Sequence, residues 1–159
     1  MSRKNFVVVE IFSILITLLF VYTATSKILD FKGFVGAMNN QPMDNRWTPL
    51  LVILIPAAEY IASILLFFRP TRKFAFLMST IMMFVFTVYV GVILSKAVYS
   101  RVPCSCGGVF PQIGWGPHLF INIAFTAISF WGYVLCKKLK HDDNEDNTIL
   151  VSVKEKYSI

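Results

Sequence analysis

Four long apolar runs dominate the chain and restrict it to a membrane-spanning helical fold. They lie at roughly 6–28, 50–68, 74–96 and 117–136. About 20 apolar residues suffice to cross a bilayer as a helix. The first run holds only Glu10 and, near its end, Lys27. The second holds only Glu59, the third is uncharged before Lys96, and the fourth holds only the ionisable His118. Soluble core strands are shorter and more often interrupted. Only 15% of the 159 residues are charged and mean hydropathy is +0.64, which excludes an ordinary soluble domain and a disordered chain alike. Arg3 and Lys4 precede the first run, but its apolar stretch exceeds that of a cleavable leader, so it is expected to remain as the first helix.

The net charge of +6 bears on topology rather than on nucleic acid. With four spans, one side collects Arg3, Lys4, Arg69, Arg72, Lys73, Lys137, Lys138 and Lys140. The opposite side holds Lys32, Arg46 and Arg101 in its loops, with Lys27 and Lys96 at span ends. Lys and Arg accumulate on the cytoplasmic side. The expectation is therefore an all-α, integral four-helix bundle with both termini cytoplasmic. Residues 1–140 form its membrane domain and 141–159 a polar cytoplasmic tail expected to be frayed. In the first outer loop Phe31, Phe34, Val35 and Met38 share one helical face, which predicts a short helix lying on the membrane surface.

The second outer loop carries Arg101-Val-Pro-Cys104-Ser-Cys106-Gly107-Gly108. Thiols outside the cytoplasm tend to be oxidised. A bond across a single intervening residue closes a small, strained ring, which favours exchange over stapling. Cys104 and Cys106 are thus the candidate catalytic pair. Gly107 and Gly108 admit a partner's backbone. Arg101 is placed to stabilise a thiolate, and His118 to exchange a proton with it; Asn122 follows one turn later on the same face. Zinc would find only Cys104, Cys106 and His118, one ligand short of a structural site, so no metal is expected. The bland alternative is two inert loop cysteines. Cys136 lies about 27 Å from His118 along a helix and cannot join the pair.

Only three cysteines are present, so no relay of cysteine pairs crosses the membrane. Electrons stay on the outer side or pass to a lipid-soluble carrier such as quinone; no cofactor motif is evident. Glu59, mid-span, needs a cationic partner. Lys27 is within reach, with Asp30 a nearer competitor for it. A structural Lys27–Glu59 link and a proton-handling one remain equally open.

Ser26-Lys27-Ile-Leu-Asp30-Phe31, Pro56-Ala-Ala-Glu59 and Pro103-Cys104-x-Cys106-Gly107 together resemble the MauE/DoxX group of four-helix bacterial membrane proteins, the cysteine loop resembling its MauE branch. The resemblance covers roughly 5–136. It implies an inner-membrane protein with Cys104 and Cys106 on the periplasmic side, exchanging disulfides with a thioredoxin-like partner. It also implies that Lys27 and Glu59 are the group's intramembrane charges. Two other readings stay open: a non-catalytic subunit that anchors or stabilises a larger membrane complex, and a small carrier using Glu59 and Lys27.

Overall fold

In the computed structural model, residues 3–41, 43–95 and 115–157 are described. Among them the secondary structure is helical, with no strand. The elements are α1 (Arg3–Leu29), α2 (Phe31–Asn39), a single 3-10 turn (Asn45–Trp47), α3 (Thr48–Phe67), α4 (Arg72–Leu94) and α5 (Trp115–Tyr157). Four stretches are long and apolar enough to cross a membrane: Lys4–Leu29, Asn45–Phe67, Arg72–Leu94 and Gly116–Leu139. These match the four runs of the sequence, with ends shifted by a few residues. The protein is a multi-pass membrane protein.

Local chemistry sets the breaks. Asp30 ends α1 and caps α2, its carboxylate accepting from the Gly33 N–H at 3.1 Å. Pro49 stands in the first turn of α3, where its missing N–H costs nothing. Pro70 separates α3 from α4. The carbonyls left over at the end of α3 are taken up by side chains: Thr71 Oγ1 donates to Leu65 O at 2.8 Å, and Arg72 Nε to Leu66 O at 3.0 Å. Past Leu139, α5 continues as helix to Tyr157, where the sequence suggested a frayed tail. No Pro or Gly occurs after Gly132 to stop it.

The four long helices form an antiparallel ring in which α1 packs on α3, α3 on α4, α4 on α5 and α5 on α1. Toward the α3–α4 turn the interior is apolar, built from Val9, Ile16, Phe20, Ala62, Leu66, Ala75, Phe76 and Met83. Small residues let α4 and α5 approach closely. A Cβ on Gly132 would collide with Phe76 Cε1, and Phe76 itself is fully buried. Inward hydroxyls bond within their own helices, as Ser13 to Val9 O and Ser79 to Ala75 O. Large apolar side chains such as Leu18, Ile53, Ile81, Phe84 and Phe130 point outward, the arrangement lipid requires. The short α2 packs on α1 and α3, burying Phe34 and Ala37, while Phe31 stays exposed.

Candidate functional site

Polar side chains are gathered inside the end of the bundle where α1 finishes, α3 and α5 begin and α2 lies. Its centre is an ion pair. Lys27 Nζ lies 2.6 Å from Glu59 Oε1, with the two side chains only 10% and 5% exposed. Each is delivered by a different helix, Lys27 from the last turn of α1 and Glu59 from the interior of α3. Phe34 of α2 covers the ammonium, its ring centre 6.0 Å from Nζ. The second carboxylate oxygen, Oε2, is buried without a hydrogen-bond partner among the described residues. Thr23, one turn before Lys27, gives its hydroxyl to Phe20 O. Asp30, the other carboxylate near Lys27 in sequence, is instead occupied at the α2 cap.

Further cross-links hold this end together. Thr25 and Tyr60 hydroxyls meet at 2.8 Å, joining α1 to α3 one residue from the ion pair on the α3 side. Tyr89 of α4 donates to Gln41 Oε1 and so ties the segment after α2 to α4. Thr87 and Thr126 hydroxyls lie 3.1 Å apart and join α4 to α5.

α5 contributes an inward stripe of polar and small residues. His118, Asn122, Ser129 and Gly132 are all buried. Their spacing of four, seven and three repeats the helical period. His118 and Asn122 are each 7% exposed, so both face the bundle rather than lipid. They stand just inside the point where the chain returns from the segment 96–114, which leaves from Ser95 at the end of α4.

That segment holds Arg101, Cys104, Cys106, Gly107 and Gly108, which lie outside the described residues. Of the residues singled out from sequence, Lys27 and Glu59 are therefore brought into contact. His118 and Asn122 are brought to one buried face beneath the segment's return. Among the described residues no three His, Cys, Asp or Glu side chains gather as a metal site would require. Cys136 is a free, half-buried thiol near the middle of α5, toward the far end of the fourth span.

The opposite end carries a pair that sequence reasoning missed. Arg72, 6% exposed, donates from Nη1 to Glu10 Oε2 and from Nε to the end of α3. One guanidinium thus fixes α1, α3 and α4 relative to one another. The signal was present. Glu10 inside a span needs a cation, and Arg72 is in the turn at the same end. Arg72 was instead counted with its neighbours as a topological charge.

Residues 5–135 match the sequence profile of the family described as methylamine utilisation protein MauE. The chain belongs to the MauE family. The matched region takes in the second and third spans and nearly all of the first and fourth, together with Lys27, Glu59, Cys104, Cys106, His118 and Asn122, and ends within the fourth span. Neither the curated proteins nor the solved structures yielded a match. For this MauE family member, family and architecture agree on a membrane protein, and the structure gives it a ring of four helices with a polar interior at one end.

Proposed function

We propose that this protein exchanges thiols and disulfides at Cys104 and Cys106 with a thioredoxin-fold partner on the extracytoplasmic side. The observation that carries the reading is the Cys-Ser-Cys-Gly-Gly sequence within the span matched to the MauE family. It is supported by the charge bias, which puts the α3–α4 turn in the cytoplasm and the 96–114 segment outside. It is also supported by the buried His118 and Asn122 at the root of that segment.

The step balances without an added oxidant. A partner thiolate attacks one sulfur of the Cys104–Cys106 disulfide, forming a mixed disulfide and releasing the other as thiolate. The partner's second thiol then displaces the bound cysteine. The partner leaves as disulfide, and Cys104 and Cys106 are left as thiols carrying the two electrons. The reverse reaction uses the same steps. His118 supplies or accepts the proton of the departing thiolate, with Asn122 orienting it, and Arg101 favours the anion. With no second cysteine pair in the chain, reoxidation is by an acceptor on the same side or by a membrane quinone. In this reading Lys27–Glu59 latches α1 to α3 at the end of the bundle where α4 ends and α5 begins. The same geometry suits a carrier less well, because the ammonium is already bound to the carboxylate and covered by Phe34.

The test is trapping. Cys104→Ser and Cys106→Ser are expressed separately, thiols are quenched with acid, and adducts are sought on non-reducing gels and by mass spectrometry. A reducible adduct with a thioredoxin-fold protein from one variant is expected, and it identifies the attacked sulfur. No adduct from either, with both wild-type cysteines reduced, rejects the reading and favours a non-catalytic subunit of a larger complex.

A further inference from the structure

The end of the bundle remote from Lys27 has a feature that disulfide exchange does not use. Arg69 and Lys73 flank the α3–α4 turn on either side of the buried Arg72. Each is laid over an aromatic ring of a neighbouring helix. The Arg69 guanidinium lies 4.9 Å from the ring centre of Phe6 in α1, and Lys73 Nζ lies 5.9 Å from that of Tyr133 in α5. The rings hold the two cations at the seams between helices without neutralising them. Lys4, Lys137 and Lys138 are exposed at the same end. Among the described side chains there, the acid is Glu10, and Arg72 already engages it. Beside the cations, Phe67, Phe68 and Phe74 are exposed at 77%, 53% and 62%.

We propose that this turn is a binding site for an anionic phospholipid. The headgroup phosphate is held by Arg69 and Lys73, and the acyl chains run along Phe67, Phe68 and Phe74. Both halves of the ligand are specified. The cations are unpaired among the described residues and sit where headgroups lie, and the aromatics beside them face hydrocarbon. Zwitterionic lipid offers the same chains but no net charge. The assignment is independent of the redox reading and of which side of the membrane this end faces.

The experiment is native mass spectrometry of the full chain, released from mixed micelles holding equal phosphatidylglycerol and phosphatidylcholine. The wild type is expected to retain phosphatidylglycerol preferentially. Each cation at a charged membrane surface changes partitioning by about fivefold. Arg69→Gln with Lys73→Gln is therefore expected to lower the enrichment by roughly tenfold or more. Arg69→Lys with Lys73→Arg should keep it, and so should Lys32→Gln at the opposite end. An unchanged melting curve in detergent shows that the double variant is folded, as expected for side chains outside the core. Equal retention of the two lipids by the wild type overturns the proposal. So does an enrichment that survives the double replacement. Full displacement of bound lipid by inorganic phosphate would make this a free-anion site and also overturn the lipid assignment.

Discussion

Breaking the Lys27–Glu59 pair from its two sides is expected to have unequal costs. The contact is short, 2.6 Å, and both side chains are almost fully buried. Removing one partner of such a pair leaves an uncompensated charge, at about 3–5 kcal/mol, or roughly two to four orders of magnitude in the folded-to-unfolded ratio. The two residues differ in their means of escape. Lys27 is in the last turn of α1, and after Glu59→Gln its long side chain can swing outward to the interface. Glu59 stands roughly 16 Å along α3 from Thr48 and has a short side chain, so after Lys27→Met its carboxylate stays inside. Lys27→Met should therefore fall at the upper end of that range and Glu59→Gln at or below its lower end. Replacing both, Lys27→Met with Glu59→Gln, should recover much of the loss, since neither charge is then left buried without its partner. The assay is reversible unfolding in mixed micelles, read by circular dichroism over the four-protein cycle. Additive single effects, or a double variant less stable than both singles, would refute this account of the pair.

Further consequences concern packing and topology. Gly132→Ala should destabilise by about 1–3 kcal/mol, because its new methyl meets the Phe76 ring; Phe76→Leu in the same chain should restore part of the loss, read by the same unfolding assay. Arg72→Gln should cost more stability than Glu10→Gln, since Arg72 is buried and also holds the end of α3, whereas the Glu10 side chain is 38% exposed. Thr126→Val should cost only about 0.6 kcal/mol, the usual worth of an interhelical hydroxyl bond in a membrane protein, and a loss above 2 kcal/mol would show a larger role for the Thr87 contact. A membrane-impermeant thiol reagent applied to intact cells after reduction should label Cys104 and Cys106 but not a cysteine introduced at Arg69; the opposite pattern would invert the topology.

The spans were legible because apolar length alone marks a membrane helix, and α2 because Phe31, Phe34, Val35 and Met38 keep helical spacing in a loop. Lys27 and Glu59 were legible as a pair because a charge in a span needs a partner. The rotation of each helix was not. In lipid, the outward face is as apolar as the inward one, so hydropathy does not reveal which residues meet. The Gly132–Phe76 contact and the inward stripe from His118 to Gly132 appear only once α4 and α5 are packed. Arg72 was obscured by its neighbours: within Arg69, Arg72 and Lys73, sequence does not tell the buried cation from the two laid over rings. The helical course of α5 to Tyr157 was missed because the acidic stretch after His141 reads as a solvated tail, though it contains no residue that breaks a helix.

A labile, exchanging disulfide between Cys104 and Cys106 is what the proposed function requires. Its most direct test is the midpoint potential of that pair. The full chain carrying Cys136→Ser is equilibrated in glutathione buffers of graded ratio, thiols are alkylated after acid quench, and the 96–114 region is quantified by mass spectrometry. A single two-electron transition, well above the potential of about −300 mV below which structural disulfides typically lie, is the predicted result. A pair that stays oxidised below that value, or that forms no bond at any ratio, would contradict it.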